Sequence, residues 1–332
     1  MFSALVLDRD RGDRSVEVRD LSPEDLPDAG DEAVTVDVLY SSLNYKDALA
    51  VTGTGPIIRG DYPIVPGIDL VGRVVESRSS DFEAGDAVIG TGWELGEVVW
   101  GGYTQRARVD GRKLVPLPAS LTPRQAMIAG TAGLTAMLSV MALEEHDVQP
   151  DDGEVVVTGA SGGVGSLALT LLDALGYDLV ASSGSADREY LRARGADRIV
   201  SRSAFEQGPD RPLETGKWAG AVDAVGGSTL ATLIAQLQRH GSIAAFGNAA
   251  GADLKTSVYP FILRGVNLLG IDSNTCPNPR RRQAWRRLGG TLSDDDFEAI
   301  HARTIPLDAV PKASQTLLGD GVRGRILVDV RA

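Results

Sequence analysis

The chain has 332 residues, a formal net charge of −12 and 43% hydrophobic residues. This length exceeds what one small core needs and predicts two domains of ordinary size. The acidic balance, with five lysines among 33 basic residues, argues against nucleic-acid binding. No uninterrupted apolar run approaches the roughly eighteen residues of a membrane span, and the N-terminus lacks a secretory signal. We therefore expect a cytoplasmic protein that does not bind a membrane.

Cysteine and histidine are scarce. Cys276 is the only cysteine, which excludes an internal disulfide, and the three histidines are widely scattered. These residues cannot assemble a Cys/His metal cluster, and no spacing of acidic residues indicates a carboxylate site, so no metal is expected.

The first third of the chain predicts a compact β-barrel, because short alternating stretches are separated by Gly, Pro and Asp. The stretches are SALVLDR, AVTVDVLY, DLVGRVVES, DAVIGT and KLVPLP. Directly after AVTVDVLY come Asn44, Tyr45, Lys46 and Asp47, in SSLNYKDALA. Four polar side chains at a strand end are either a solvated turn or a reaction site.

Beyond Leu121 the pattern changes to alternating helices and strands. TPRQAMIAGTAGLTAMLSVMALEE has helical length and begins with Thr122 as a cap and Pro123 in the first turn. Six later stretches predict buried strands, and two predict helices between them: EVVVTG, DLVASS, RIVS, AGAVDAVG, SIAAFG and NLLGID, then VGSLALTLLDALG and ADREYLRARGA. This alternation predicts an α/β fold with a doubly wound parallel sheet. The final stretches, TIPLDAVPKASQTLL and GRILVDV, return to the barrel-like pattern.

The stretch VVVTGASGGVGS joins a predicted strand to a predicted helix. Its glycines let the backbone turn tightly and approach a pyrophosphate, which the helix N-terminus attracts. A phosphate loop of the Walker type would need a lysine before its final Ser166, where Gly165 stands. A short-chain dehydrogenase would start at this loop and carry a Tyr-x-x-x-Lys pair, which is missing. We predict a dinucleotide site with contacts from Gly159, Ser161, Gly162, Gly163 and Val164.

The second strand of this domain favours NADPH over NADH. An NAD site usually carries Asp or Glu there, about 20 residues after the loop, to bind the ribose. Here Ser182, Ser183 and Gly184 leave room for a 2′-phosphate, and Arg202 or Arg188 adds charge. Because the carboxyl ends of parallel strands line the ligand crevice, later strands predict further contacts. These are Gly226, Phe246, Gly247, Asn248, Ile271 and Ser273.

A barrel followed by a late dinucleotide domain resembles the medium-chain dehydrogenase/reductase superfamily. Its zinc enzymes place a cysteine where Asn44 stands and a Gly-His-Glu where Gly67-Ile68-Asp69 stands. The chain therefore resembles the zinc-free, quinone-oxidoreductase-like branch. Several long motifs in order further resemble the acryloyl-CoA reductase subfamily: SSLNYKDALAVTG, IVPGIDLVG, GTGWELGEVVWGGY, GTAGLTAML, FILRGVNLLGIDS and AWRRL.

The resemblance implies a GroES-like domain at 1–124, completed by 300–332, and a Rossmann domain at 125–299. It implies NADPH-dependent reduction of the C=C bond of a small acyl-CoA such as acryloyl-CoA. Tyr45 would face the nicotinamide, and Thr131 and Arg325 would contact the cofactor. Asn44 would donate to the developing oxyanion. Lys46 and Asp47 would pair and orient the loop.

Two other functions stay open: an NADPH-dependent quinone or enone reductase, and a nucleotide-binding protein without turnover. Arg59 and Arg264 are weak candidates for a CoA handle, and the basic run at 280–282, with Arg286 and Arg287, predicts a solvated helix face. NLLGID reads as an apolar edge strand, so a homodimer is expected.

Overall fold

The computed structural model describes residues 1–10, 13–184, 188–319 and 321–332. The chain divides into two compact units. The first comprises Met1–Thr131, Ser273–Gly290 and Phe297–Ala332, and the second comprises Ala132–Asp272 and Thr291–Asp296. The division expected from the sequence, 1–124 with 300–332 and 125–299, differs from these units at 125–131, 273–290 and 297–299, which lie in the first unit.

The first unit is built on a mainly antiparallel sheet of seven strands. Its order is β14-β15-β3-β4-β5-β7, with β6 also paired to β3. A separate hairpin, β1 and β2, precedes it. Alternate residues of β3, such as Val34, Val36 and Val38, are buried in the core. The strands are β1 (Phe2–Asp10), β2 (Asp13–Leu21), β3 (Ala33–Leu43), β4 (Asp69–Ser77), β5 (Ala87–Thr91), β6 (Arg106–Asp110), β7 (Leu114–Pro116), β14 (His301–Pro306) and β15 (Arg325–Asp329).

The C-terminal return to the barrel is confirmed. Strand β15 pairs antiparallel with β3, and Ile326 lies opposite Leu43 in that register. The residues just outside this pair, Asn44 and Arg325, consequently come together. The helices of this unit are α1 (Tyr45–Thr52), the start of α2 (Pro123–Glu145), most of α7 (Asn278–Thr291), the end of α8 (Asp294–Ile300) and α9 (Val310–Gly319).

Buried polar contacts explain why 273–290 belongs to the first unit. Arg281 of α7 is fully buried and donates to the carbonyl and hydroxyl of Thr91 at 2.7 and 2.8 Å. Asn278 donates to the carbonyl of Arg112 at 2.8 Å. The predicted solvated basic face is thus wrong at Arg281, because backbone carbonyls and the Trp93 ring surround its guanidinium.

The second unit contains a six-stranded sheet in the order β10-β9-β8-β11-β12-β13. Every pairing in it is parallel, which confirms the predicted α/β class. Residues 186 and 187, at the start of the predicted helix ADREYLRARGA, lie outside the described residues. The elements are β8 (Val155–Thr158), α3 (Gly163–Ala174), β9 (Leu179–Ser183), α4 (Arg188–Arg192), β10 (Arg198–Ser201), β11 (Trp218–Asp223), α5 (Gly227–Gln236), β12 (Leu237–Ala245), α6 (Tyr259–Arg264) and β13 (Asn267–Gly270).

Helix α2 is long and apolar enough to cross a membrane, contrary to the expectation from the sequence. Within the protein, however, 94% of its apolar window is buried, as in the core helix of a globular fold. The helix begins at Pro123 after Thr122, as predicted, and it breaks at Gly130, where φ is 54° and ψ is −155°. Only glycine tolerates such a backbone without strain.

Candidate active site

Helix α1 begins immediately where β3 ends, and its first residue is Tyr45. Asn44 is the N-cap residue, with extended backbone angles of −105° and 162°. The Asp47 carboxylate reaches back to accept the backbone N–H of Asn44 at 2.9 Å, the return half of a capping box. The polar run that looked like a turn is therefore the start of a short helix that holds Tyr45 at its tip.

Asp47 is buried beneath this helix start. Its Oδ1 accepts the N–H of Ile68 at 2.9 Å, and its Oδ2 accepts the Asn44 side-chain amide at 2.9 Å. Burial and, to a smaller extent, the nearby Asp69 charge raise the pKa of Asp47 to about 7, although the N–H donors act in the opposite direction. The pKa of Asp47 therefore lies close to neutral pH.

Asp69 is the hub of the cluster. Its Oδ2 accepts bonds from the Ser42 hydroxyl, from Asn44 Nδ2 at 2.8 Å and from the Thr131 N–H at 2.9 Å. Its Oδ1 accepts the Thr131 hydroxyl at 2.5 Å. A Cβ on Gly130 would lie 2.5 Å from Asp69 Oδ2, so a side chain at this break would displace the carboxylate.

Arg325 completes the cluster from β15. Its Nη2 donates to Asn44 Oδ1 at 2.9 Å, and its Nε donates to the carbonyl of Ile128 at 3.0 Å. Burial lowers the pKa of Arg325, while Asp69 and Asp47 act in the opposite direction. Arg325 was predicted as a cofactor contact. In the structure, its guanidinium is hydrogen-bonded to residues of the barrel unit.

Tyr103 lies beside these charges. Its hydroxyl donates to the carbonyl of Ser42 at 3.1 Å. Burial raises the pKa of Tyr103, and the negative charges of Asp47 and Asp69 raise it further. This tyrosine is therefore a neutral member of the cluster.

The contacts of Asn44 correct its predicted role. Its Nδ2 group donates to Asp47 and Asp69, and its Oδ1 accepts from Arg325. An amide nitrogen has two hydrogens, and both are used inside the cluster. The interpretation of Asn44 as an oxyanion donor is therefore wrong for this arrangement, in which Asn44 acts as a cap.

Tyr45 and Lys46 point away from the cluster. Tyr45 is 63% exposed, in contrast to the buried side chains beneath it. The predicted pair between Lys46 and Asp47 is wrong, because Lys46 Nζ bonds Glu97 Oε1 at 2.8 Å. Glu97 also accepts from Arg59 at 3.2 Å, so Arg59 is already engaged rather than free for CoA. Of these residues, Tyr45 is the one that offers an accessible phenol.

The glycine loop of the second unit has the form that a dinucleotide requires. The loop connects β8 to α3, as predicted, and Gly159 adopts a positive φ of 58°. A Cβ on Gly165 would lie 2.3 Å from the carbonyl oxygen of Gly159, which shows how tightly helix and loop pack. Gly162 is the N-cap of α3 and Gly163 its first residue, so the helix begins inside the glycine run that also includes Ser161 and Val164. These residues fit a pyrophosphate at the helix N-terminus.

The predicted 2′-phosphate site lies at the ends of β9 and β10. Ser182 and Ser183 end β9, Gly184 follows, and the Ser183 hydroxyl lies 3.3 Å from that of Ser161. Ser201 pairs with Ser183 in the parallel register, so Arg202 follows at the same edge of the sheet. Arg202 is exposed and lies 3.5 Å from Glu206. Arg188 begins α4 and is also exposed.

The other predicted cofactor residues divide between the units. Gly226 follows β11, and Phe246, Gly247 and Asn248 follow β12; Ile271 follows β13 in the second unit, and Ser273 belongs to the first. Sequence reasoning missed Asp223, the last residue of β11. This buried carboxylate accepts the Thr158 hydroxyl at 2.6 Å and the Gly226 N–H at 2.8 Å, and burial raises its pKa. The sequence signal that could have identified Asp223 was a carboxylate residue at the end of an otherwise apolar strand.

The weak CoA candidate Arg264 is not free. Its guanidinium donates to the carbonyls of Ala235 and Leu237 at 3.1 and 2.7 Å, and to that of Glu214. In the described ranges, no group of three or more His, Cys, Asp or Glu residues is arranged to hold a metal ion.

Two features together are typical of dehydrogenases and reductases. One is a barrel unit with an exposed tyrosine at the start of a capped helix, and the other is a parallel-sheet unit with a dinucleotide-type glycine loop. Family models support this: "Alcohol dehydrogenase GroES-like domain" matches residues 30–119, and "Zinc-binding dehydrogenase" matches residues 163–289. The chain is 50% identical to the probable acrylyl-CoA reductase AcuI of Escherichia coli, over 99% of this chain and all of the relative. The chain belongs to the medium-chain dehydrogenase/reductase superfamily and, within it, to the acrylyl-CoA reductase family.

Two further likenesses bear on function. The crystal structure of the yhdH oxidoreductase of Salmonella enterica in complex with NADP has a TM-score of 0.94 and 50% identity, and covers 99% of both chains. The putative quinone oxidoreductase YhfP of Bacillus subtilis is 44% identical, over 99% of this chain and 98% of the relative. A crystal structure of that Bacillus protein has NAD bound, with 43% identity and a TM-score of 0.94 over 99% of both chains.

Proposed function

We propose that the protein reduces the C=C bond of small 2-enoyl-CoA thioesters with NADPH, and that acryloyl-CoA is converted to propanoyl-CoA. The full-length likeness to the acrylyl-CoA reductase of E. coli carries this proposal. Metal-free reduction also agrees with the site, where Asn44 and Ile68 stand at the positions of zinc ligands in related enzymes.

The bound cofactor would supply a hydride to the β-carbon of the enoyl thioester. The electron pair of the C=C bond then moves towards the thioester, and negative charge develops on its oxygen. In this proposal Tyr45 donates a hydrogen bond to that oxygen, and either Tyr45 or water supplies the proton to the α-carbon. Because its side chain is 63% exposed, the phenol can regain a proton from water.

The cluster beneath Tyr45 supports this role by holding α1 in place. Asn44 caps the helix, Asp47 closes the cap, and Arg325 balances part of the negative charge. Lys46 is a surface support of the same segment through Glu97. None of these four residues needs to touch the substrate.

NADPH is the proposed cofactor, held by the glycine loop and by Ser182, Ser183 and Arg202. Small hydroxyls at the end of β9 leave the 2′-phosphate unopposed, and the cofactor of the Salmonella relative is NADP. The cytoplasmic location predicted from composition belongs to the same proposal.

A homodimer is proposed through the edge of the six-stranded sheet. Strand β13 is the terminal strand of that sheet, and apolar side chains near it are exposed. These are Val258, Tyr259, Ile262, Leu263 and Leu268, here named the β13 patch. A second copy can pair with the open edge and cover the patch at once.

The second candidate function is an NADPH-dependent quinone or enone reductase, favoured by the likeness to the putative quinone oxidoreductase YhfP of Bacillus subtilis. The third candidate function is a nucleotide-binding protein without turnover. The chain carries every residue predicted for the reaction site, which favours an enzyme over this third candidate. NADPH oxidation with acryloyl-CoA, crotonyl-CoA and a benzoquinone separates them. The proposal expects turnover with acryloyl-CoA. Turnover with the quinone alone supports the second function, and the absence of turnover with all three acceptors supports the third.

A further inference from the structure

Asp69 connects two segments that the proposed reaction needs. One is the end of β3 with the cap of α1, reached through Ser42 and Asn44. The other is Thr131, which Asp69 holds by its N–H and its hydroxyl. The carboxylate is fully buried at the start of β4, so a rigid sheet fixes its position.

On the first side, Asp69 acts through the cap. One hydrogen of the Asn44 amide goes to Asp69 at 2.8 Å and the other to Asp47 at 2.9 Å. If the Asp69 acceptor is removed, Asn44 keeps a buried, unsatisfied N–H, which is costly in a protein interior. The cap will then rotate or shift, and Tyr45, the next residue, will move with it.

On the second side, Asp69 acts through a helix terminus. The break at Gly130 leaves Thr131 at the start of the second half of α2, where its N–H donates to Asp69 at 2.9 Å. A negative charge at that position is favourable because helix N-termini carry positive partial charge. Thr131 is also the residue that the family resemblance places beside the cofactor.

We propose that Asp69 is a positioning residue that sets Tyr45 and Thr131 together, so that the phenol and the cofactor contact share one rigid reference point. This inference rests on the proposed function for its substrate. It assigns Asp69 no direct contact with substrate, and it predicts that one substitution disturbs two separable properties of the enzyme.

The test measures two quantities in purified full-length variants: kcat with acryloyl-CoA, and the dissociation constant of NADPH without an acceptor. In Asp69→Ala we expect kcat to fall about tenfold or more, because Tyr45 is misplaced. The dissociation constant of NADPH should rise about fivefold as Thr131 loses its bonds. Thr131→Val should raise the same constant through the loss of one bond. Asp47→Asn should lower kcat but leave NADPH affinity within about twofold, because the bonds of Asp47 go to Asn44 and to the N–H of Ile68.

Asp37→Asn is the matched control. Asp37 lies on β3 of the same unit and pairs with Arg106 at 2.8 Å, without contact to the cluster, so both quantities should stay at the wild-type level. If Asp69→Ala does not fold, Asp69→Asn decides, with the same directions and smaller sizes. A folded Asp69 variant in which only one quantity changes, or neither, overturns the inference.

The outcome is separable from that of the proposed function. If the wild-type protein reduces a benzoquinone and not acryloyl-CoA, the proposed substrate is wrong. The kcat with quinone and the NADPH constant then still test the positioning role of Asp69.

Discussion

Arg325 and Asn44 lie 281 residues apart in sequence, yet Nη2 of the one donates to Oδ1 of the other across 2.9 Å. The bond exists because β15 pairs with β3 up to Ile326 and Leu43. Among the described residues, Arg325 carries the only guanidinium bonded to this cluster. The strand pairing brings this guanidinium to the cap of the helix that carries Tyr45. The end of the chain thereby stabilises the candidate active site.

Removal of that guanidinium should lower the stability of the folded protein. Arg325→Met keeps most of the side-chain volume but leaves Asn44 Oδ1 unsatisfied and the two carboxyl groups without their cation. We expect the free energy of unfolding to fall by about 3 to 5 kcal/mol, as when one partner of a buried charge network is removed. Urea unfolding followed by circular dichroism measures this loss.

Arg112→Met is the control for that substitution. Arg112 is 75% exposed and pairs with Asp110 at the surface, so its loss should leave the free energy of unfolding close to the wild-type value. Equal stability losses in the two variants would contradict the role given to Arg325.

Asp47 predicts a specific dependence of stability on pH. Burial raises the pKa of Asp47 from its ordinary value of 3.8 to about 7 on folding, so between these pH values the folded state holds a proton that the unfolded chain has released. This contribution to stability is complete below pH 3.8 and is lost as pH rises towards 7 and beyond. Stability should fall across this window by up to about 1.4 kcal/mol per pH unit from this group.

The measurement is urea unfolding at several pH values between 4 and 8, for the wild type and Asp47→Asn. An amide does not titrate, so the variant should show a flatter profile than the wild type between pH 4 and 7. Asp37→Asn should keep the wild-type slope. Parallel profiles for the wild type and Asp47→Asn would show that Asp47 is ionised throughout.

The position of Ser183 leads to a prediction about the preference for NADPH over NADH. Ser183→Asp places a carboxylate where a ribose 2′-phosphate is expected, at the end of β9. Repulsion should lower kcat/KM for NADPH by about thirtyfold or more, with a much smaller effect on NADH, which has a free 2′-hydroxyl. Steady-state rates with each cofactor measure the ratio. An unchanged ratio would place the adenosine ribose elsewhere, and equal wild-type use of both cofactors would refute the interpretation of Ser182–Gly184.

The exposed side chain of Ile262 leads to a prediction about the proposed homodimer. It is 68% exposed on α6 and belongs to the β13 patch. Ile262→Asp should convert a dimer to a monomer in sedimentation velocity, because burial of a charge in an apolar interface is unfavourable. Val18→Asp, on an exposed position of β2, should leave the dimer intact. A wild-type monomer would contradict the proposal directly.

The sequence predicted the elements with strong local signals. The glycine loop sits between a strand and a helix as expected, and GRILVDV returns to the barrel. The cluster at 44–47 was found because polar residues interrupt an apolar pattern. The bond from Arg325 to Asn44 was not predicted, since it depends on strand pairing between distant segments.

Other features left no usable trace in the sequence. Gly130 lies in an apolar helical pattern, where a glycine usually costs only about 1 kcal/mol, so the break in α2 was not predicted. Arg281 belongs to a run of three arginines that looks solvated, although its guanidinium is buried and donates to the carbonyls of the distant Thr91 and of the nearby Asn274. In both cases tertiary contacts override the local pattern.

The central claim is hydride transfer to an enoyl thioester, and an isotope experiment tests it most directly. NADPH deuterated at the transferring position of nicotinamide C4 is incubated with the wild-type enzyme and acryloyl-CoA, and the product is examined by mass spectrometry and NMR. The account predicts propanoyl-CoA with one deuterium on the β-carbon and, in unlabelled water, none on the α-carbon. Absence of propanoyl-CoA while a benzoquinone is reduced, or deuterium on the α-carbon, would contradict it.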